Sequence, residues 1–148
     1  MDATEFLPGV FVGDYFVAND EVFFRKNNIV RVVNCTENIP FFFPHLAQYF
    51  RIPIDDSTSH LDNNVMAAYM PSAIRFITEI RPSKERGVLI HCQAGMSRSC
   101  TVAVGLLRQC CHPTIKGAIQ ALVEKRDIAF FRGRYVNFEK ALYKVFGN

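Results

Sequence analysis

Residues 88–99 read VLIHCQAGMSRS, and the local structure of this stretch sets the architecture of the chain. The stretch opens with a short apolar run typical of a buried strand, and a loop with a glycine at position 95 follows. From Arg98 to about Cys110 the sequence has the periodicity of a helix. A strand, a tight loop and a helix in this order direct backbone N–H groups into one concavity at the positive end of the helix. Such a concavity binds a tetrahedral oxyanion.

The residues of this loop suit phosphate chemistry. Gly95 permits the backbone conformation that a closed loop needs where a Cβ would clash. The planar guanidinium of Arg98 can hold two phosphate oxygens at once. Amide dipoles, the helix terminus and Arg98 all favour the thiolate form of Cys92. The sequence therefore predicts a cysteine nucleophile at the floor of a phosphate-binding loop.

The remaining sequence predicts an α/β fold with a small, central, mostly parallel sheet that helices cover on both faces. Predicted strands cover residues 10–13, 29–34, 49–54 and 87–90. Predicted helices cover residues 21–27, 65–81 and 98–110, followed by apolar helical faces within 115–123 and 135–146. Residues 55–64 are polar and are predicted to form a surface loop of the kind that carries function.

Length and composition exclude several classes of protein. A chain of 148 residues fits one domain over 1–148, and 49% hydrophobic residues exclude global disorder. No apolar run approaches the roughly 18 residues of a membrane span, and no signal peptide is recognisable. A net charge of +3 does not demand nucleic acid. Five cysteines without a Cys-x-x-Cys pair indicate reduced thiols, hence a cytoplasmic location with nuclear access left open.

The pattern His91-Cys92-x-x-Gly95-x-x-Arg98-Ser99 resembles the signature loop of the cysteine-dependent protein tyrosine phosphatases. The fuller string resembles the dual-specificity branch in its compact atypical form. The resemblance covers most of the chain: residues 7–13 and 29–36 are similar to the first strands of that branch. Ile52-Pro53-Ile54-Asp55-Asp56 resembles the strand and loop that deliver its general acid. Residues 132–134 depart from the pattern, and no function is assigned to them.

The resemblance implies a protein phosphatase that hydrolyses phosphotyrosine and phosphoserine or phosphothreonine through a cysteinyl-phosphate intermediate. It assigns four catalytic residues: Cys92 as nucleophile, Arg98 on the phosphate oxygens, Asp56 as acid and then base, and Ser99 as a donor to the thiolate. Phosphate binding is assigned, with Arg98, to Gln93, Ala94, Gly95, Met96 and Ser97. Supporting roles fall to His91, which would orient the loop, and Asn34, which would brace it from the neighbouring strand. The resemblance implies no metal and no cofactor.

Several alternatives stay open. Asp55 is the second candidate for the acid, whereas Asp62 is interpreted as a helix cap. The same fold acting on RNA 5′ ends, a phosphoinositide or another phosphoester is the second function. A phosphate-binding module without turnover and a rhodanese-like sulfurtransferase are weaker hypotheses. The expected partners are phosphorylated proteins, with no obligatory nucleic acid and no membrane, and a homodimer is left open.

Two further hypotheses concern side chains outside the signature loop. Cys35 or Cys100 is a candidate for a regulatory disulfide with Cys92. A set of basic residues is interpreted chiefly as solvated surface, with a role in reading acidic residues beside the phosphosite as the alternative. The set comprises Lys125, Arg126, Arg132 and Arg134.

Overall fold

The structure is a computed structural model that describes residues 2–148. Its five strands are β1 (Ala3–Leu7), β2 (Val10–Gly13), β3 (Ile29–Asn34), β4 (Gln48–Arg51) and β5 (Gly87–His91). Its helices are α1 (Tyr15–Ala18), α2 (Glu21–Lys26), α3 (His60–Thr78), α4 (Arg98–Cys110), α5 (Ile115–Lys125), α6 (Ala129–Gly133) and α7 (Glu139–Phe146). The strands form one sheet in the order β1-β2-β5-β3-β4.

Strand β5 is the centre of the sheet, and all five of its residues are buried. It pairs in parallel with β2 and with β3, and β4 continues the parallel pairing from β3. Only β1 runs antiparallel, on the outer side of β2. Gly13 and Asn34 are both register partners of His91, so the carboxyl ends of three parallel strands meet beside the residue that follows it.

Helices cover both faces of the sheet, as the sequence predicts. Successive side chains of a strand point to opposite faces, so β5 contributes to two cores. Leu89 packs with the smaller core, which α1, α2 and the aromatic loop before β4 build around Phe24 and Phe43. Val88 and Ile90 pack with the larger core, which holds the buried faces of α3, α4, α5 and α7. The prediction of an α/β fold with a mostly parallel sheet is confirmed.

The first half of the chain contains two elements that were not predicted, β1 and α1, and the bounds of β4 and α3 differ from the prediction. No strand is predicted at residues 3–7, where the structure has β1 paired with β2 across a short turn and Phe6 packed in the larger core. Strand β4 ends at Arg51 and leaves out Pro53, which lacks an N–H for a ladder. Helix α3 begins at His60 within the predicted loop, because Ser59 Oγ accepts from the Asp62 N–H at 3.1 Å and caps it.

The C-terminal helices also differ from the prediction. Helix α7 starts at Glu139, so Tyr135 lies outside it and is 63% exposed instead of lining its apolar face. In α6, Phe130, Phe131 and Arg132 have φ angles of +55°, +55° and +63°, in the left-handed region. No helix within residues 2–148 is long and apolar enough to cross a membrane.

Candidate active site

Cys92 follows the last residue of β5 directly and is buried, with 2% of its surface exposed. Its Sγ lies 3.0 Å from Oγ of Ser99, in the first turn of α4. The chain between them forms a loop over residues 93–97, which ends at the N-terminus of α4. A thiol is therefore held at the base of a loop that a helix N-terminus faces, as the sequence predicts.

Three carbonyl groups of this loop are each held by a donor from outside it. The three pairs are Tyr15 N with the Gln93 oxygen at 3.0 Å, Arg126 Nε with the Gly95 oxygen at 2.8 Å, and Phe130 N with the Met96 oxygen at 2.7 Å. In a trans peptide group the N–H points away from the C=O, so these contacts turn the following amides toward the inside of the loop. Within residues 2–148, the amides of Ala94, Met96 and Ser97 have no protein acceptor. The loop thus presents donors to an oxyanion.

Gly95 is required at the point of closest approach. Its φ is +66°, in the region that disfavours a side chain. A Cβ at this position would lie 2.6 Å from Arg126 Nη2 and 2.9 Å from the carbonyl oxygen of Gly13. The conformation that directs the loop amides inward is therefore open to glycine alone.

Arg98 begins α4 and reaches across to the segment that follows β4. Its Nη1 donates to the carbonyl oxygen of Ile54 at 3.1 Å. Among residues 2–148, Arg98 Nε and Ser97 Oγ are buried side-chain atoms without a hydrogen-bond partner. Buried donors without acceptors are costly in a folded protein. Two such atoms at the same loop fit a site that receives an anion with several acceptor oxygens.

The two acid candidates lie in the exposed segment between β4 and α3. Asp56 Oδ1 accepts a hydrogen bond from Nδ2 of Asn137 at 2.9 Å. Asp55 is also exposed, and within residues 2–148 no hydrogen bond orients its carboxylate. Ile54 directly precedes both residues, so the hydrogen bond from Arg98 joins the segment that carries these two candidates to the loop. Asp62 lies in the first turn of α3, where its carboxylate accepts from Ser59 Oγ at 3.0 Å.

His91 is buried beside the loop and is held neutral. Burial lowers the pKa of His91 to about 4. The charges of Arg51 and Arg98 also lower this pKa, whereas the contact with the Cys92 carbonyl raises it. That contact joins His91 Nδ1 and the carbonyl oxygen at 3.4 Å. The histidine therefore packs under the loop as an uncharged group.

Asn34 does not brace the signature loop, and the prediction of that contact is corrected. Its Oδ1 accepts from Thr36 N at 3.1 Å and from Thr36 Oγ1, while its Nδ2 donates to the Ile39 oxygen at 2.8 Å. Thr36 is only two residues from Asn34, so a local turn supplies hydrogen-bond partners to the Asn34 side chain, which therefore makes no hydrogen bond with the loop after β5. Asn34 orders the connection between β3 and β4 instead.

Cys35 and Cys100 are both buried near Cys92. Cys35 N donates to the His91 oxygen at 2.8 Å, and Cys100 Sγ contacts the Gly95 oxygen at 3.4 Å. Burial raises the pKa of both thiols, and the neighbouring Cys92 raises each of them further. Both are thus held as neutral thiols beside the candidate nucleophile.

The basic residues of the C-terminal third have different environments. Arg126 is buried and holds the loop, so its interpretation as surface is wrong. Lys125, Arg132 and Arg134 are exposed, and Arg132 pairs with Asp127. Sequence reasoning missed the contacts of Arg126 and of Asn137 with the site, because both bridge segments far apart in the sequence.

The site is a cysteine-based phosphate site of the protein tyrosine phosphatase type. It combines a parallel sheet, a cysteine at the end of the central strand, a loop lined by amides and an arginine at the start of the next helix. The sequence matches the family "Dual specificity phosphatase, catalytic domain" over residues 10–145, and the chain belongs to this family. The predicted resemblance to dual-specificity phosphatases is confirmed.

Known relatives agree with this assignment. Dual specificity protein phosphatase 7 of Homo sapiens is 34% identical over 144 residues, which cover 93% of this chain and 33% of the relative. Dual specificity protein phosphatase 9 of Homo sapiens is 33% identical, with 93% and 36% covered. The chain spans about a third of the length of these curated relatives.

Solved structures share the fold. The crystal structure of human DUSP28 superposes with a TM-score of 0.79 at 20% identity, covering 99% of this chain and 94% of that one. The crystal structure of DUSP15 gives a TM-score of 0.80 at 22% identity, covering 97% and 86%. At these identities the likeness establishes the compact fold of this family.

Proposed function

We propose that residues 1–148 form one catalytic domain that hydrolyses phosphotyrosine and phosphoserine or phosphothreonine in proteins through a cysteinyl-phosphate intermediate. The observation that carries the proposal is the 3.0 Å contact of Cys92 Sγ with Ser99 Oγ beneath a loop whose amides face inward. A binding module alone has no use for a nucleophile at this point.

The first step transfers the phosphoryl group to sulfur. The Cys92 thiolate attacks phosphorus, a P–S bond forms, and the bond to the leaving oxygen breaks. Asp56 gives its proton to that oxygen, so a neutral alcohol or phenol departs. The loop amides and the guanidinium of Arg98 donate to the three equatorial oxygens, where the charge of the transition state lies.

The second step returns the enzyme to its starting form. Asp56, now a carboxylate, takes a proton from a water molecule as the water attacks phosphorus. The P–S bond breaks and its electron pair returns to sulfur. The Ser99 hydroxyl donates to the departing thiolate and lowers the energy of that charge. Inorganic phosphate is released, and each residue regains its initial protonation state.

The substrate class is supported by the loop and by the family. The variable loop positions Gln93, Ala94, Met96 and Ser97 carry no charge, which favours a protein phosphoester over a polyanionic lipid headgroup. We place the reaction in the cytoplasm, where thiols such as the five free cysteines of this chain stay reduced.

Matched phosphotyrosine and phosphothreonine peptides test the proposal by phosphate release. We expect the wild type to hydrolyse both peptides and Cys92→Ser to hydrolyse neither. Cys110→Ser is the matched control, since that thiol is exposed at the far end of α4, and we expect it to retain wild-type rates. Hydrolysis of phosphotyrosine alone would contradict dual specificity. Release from neither peptide by folded wild type would overturn the proposal and favour RNA or lipid phosphates.

A further inference from the structure

Arg126 is a buried charge that the reaction as described does not use. It follows α5, and its side chain is 2% exposed. Its guanidinium makes one contact with the signature loop and three with the N-terminal segment. Besides the Gly95 oxygen, its partners are Asp2 Oδ1 at 2.9 Å, Asp2 Oδ2 at 2.8 Å and Thr4 Oγ1 at 2.9 Å.

The geometry makes the loop contact depend on the N-terminal segment. A buried guanidinium is stable only when it is paired and hydrogen-bonded. Within residues 2–148, Asp2 is the only carboxylate that pairs with Arg126, and it does so with both oxygens. The bidentate pair fixes the plane of the guanidinium, and that plane aims Nε at the Gly95 oxygen.

The Gly95 oxygen is a sensitive point of the loop. The amide that shares its peptide group belongs to Met96 and faces the phosphate position. If the Gly95 carbonyl turned inward, it would present a partial negative charge to the substrate and withdraw one donor. The contact from Arg126 therefore keeps the loop in its anion-binding conformation, and Cys100 Sγ adds only a weak second donor at 3.4 Å.

We propose that Asp2 is a positioning residue for the phosphate-binding loop, acting through Arg126 on the Gly95 carbonyl. Asp2 touches no reacting atom. It neutralises and orients the guanidinium that holds the loop open to an oxyanion. The kinetic part of this inference rests on the proposed phosphatase function, whereas the effect on oxyanion binding does not require turnover.

A purely structural ion pair offers a matched control. Arg31 pairs with Glu79 and joins β3 to α3, away from the signature loop. Arg31 is 14% and Glu79 53% exposed, against 2% and 41% for Arg126 and Asp2. Each pair thus joins a largely buried arginine to a half-exposed carboxylate, but only one of them contacts the loop.

The test compares Asp2→Asn with Glu79→Gln, both of which remove a carboxylate charge and keep the shape of the side chain. Tungstate is the probe of oxyanion binding, measured by calorimetry on folded protein. Thermal unfolding and turnover of an aryl phosphate are measured in parallel. For Asp2→Asn we expect about tenfold weaker tungstate binding and a similar fall in kcat, the size of one charge-assisted hydrogen bond. For Glu79→Gln we expect a lower Tm with unchanged tungstate affinity and kcat.

Thr4→Val provides a milder test, because it removes one neutral acceptor of Arg126 and keeps Asp2. We expect about threefold weaker tungstate binding, and this variant decides the question if Asp2→Asn does not fold. Wild-type tungstate affinity in folded Asp2→Asn, with only Tm lowered, would overturn the inference. Wild type that binds tungstate but releases no phosphate would contradict the proposed function and leave the tungstate comparison intact.

Discussion

The side-chain amide of Asn137 donates to the carboxylate of Asp56 at 2.9 Å, across 81 positions of sequence. Asn137 is itself fixed, because its carbonyl oxygen accepts from Nδ2 of the buried Asn63 at 3.2 Å. Asn63 Oδ1 accepts in turn from the N–H of Ala141 at 3.1 Å. The segment that carries Asp56 is therefore oriented by the connection between α6 and α7, which packs against the start of α3.

Removing the Asn137 contact is expected to impair protonation of the leaving group. For Asn137→Ala we expect kcat with phenyl phosphate to fall about tenfold, because the carboxylate loses its orienting donor. With p-nitrophenyl phosphate the loss is smaller, since that leaving group needs less help from an acid. Asn64→Ala is the control, because the contact of Asn64 with Lys144 joins α3 to α7 without touching Asp56. Equal losses with both substrates would contradict this role.

The two acid candidates can be separated by the same pair of substrates. We expect Asp56→Asn to lower kcat with phenyl phosphate by about 10²- to 10³-fold, the usual contribution of a general acid. Asp55→Asn should retain most activity, because no hydrogen bond within residues 2–148 holds that carboxylate toward the loop. Steady-state rates decide the assignment. Normal activity of Asp56→Asn together with loss of activity in Asp55→Asn would assign the role of general acid to Asp55 instead.

Ser99 is expected to act in the second step. In Ser99→Ala the departing thiolate loses a donor 3.0 Å away, so hydrolysis of the intermediate should slow about tenfold. Stopped-flow measurement should then show a burst of phenol release followed by a slow steady state. Thr78→Val, which changes an exposed hydroxyl near the end of α3, should show wild-type kinetics. A slower burst with unchanged steady state would place Ser99 in the first step instead.

His91 should make the fold sensitive to mild acid. Its pKa is about 4 in the folded protein and about 6.5 when unfolded, so the unfolded chain binds the extra proton between these values. Stability is therefore complete above pH 6.5 and declines as pH falls toward 4, by about 2 kcal/mol between pH 7 and pH 5. Urea unfolding of His91→Gln should show a shallower decline. His60→Gln, at an exposed position, should retain the wild-type slope.

Peroxide is expected to join Cys92 to Cys35. Asn34 and His91 are register partners in parallel strands, so the residues after them lie side by side at a separation that a disulfide spans. Peroxide oxidises the Cys92 thiolate to a sulfenic acid, and the Cys35 thiol then displaces water to form the disulfide. Mass mapping should find this link. After peroxide treatment, dithiothreitol should restore the activity of Cys100→Ser but not that of Cys35→Ser. A disulfide between Cys92 and Cys100 would contradict this prediction and identify Cys100 as the partner.

The local part of the site could be predicted, because the strand, loop and helix around Cys92 are specified by neighbouring residues. The predicted helix 98–110 coincides with α4, and the predicted strand 29–34 coincides with β3. Gly95 was predicted from the need for a closed loop, and its φ of +66° agrees. In each case the deciding physics lies within a few residues along the chain.

The remaining features were not predicted, for reasons that differ from one to the next. Strand β1 forms a local hairpin with β2 and buries Phe6 in the larger core. Arg126 is charged, so its sequence context gave no sign that it is buried or that it contacts Gly95. The left-handed turn at Phe130, Phe131 and Arg132 runs into Gly133, whose φ is +79°, so glycine marks only the last position of this conformation in the sequence. Asn34 was misassigned because its side chain has a nearer partner in Thr36.

The outside donors that hold the signature loop also set an order of assembly. Tyr15 precedes the loop, but Arg126 and Phe130 follow it by about thirty residues. During synthesis from the N-terminus, Cys92 is therefore made before two of the three donors that bind the loop carbonyls and turn the loop amides inward. A nascent chain that stops before residue 126 carries Cys92 but lacks two of the three donors that hold the loop over residues 93–97. On the proposed mechanism, this thiol becomes reactive toward phosphoesters only when the segment that carries Arg126 and Phe130 packs against the loop.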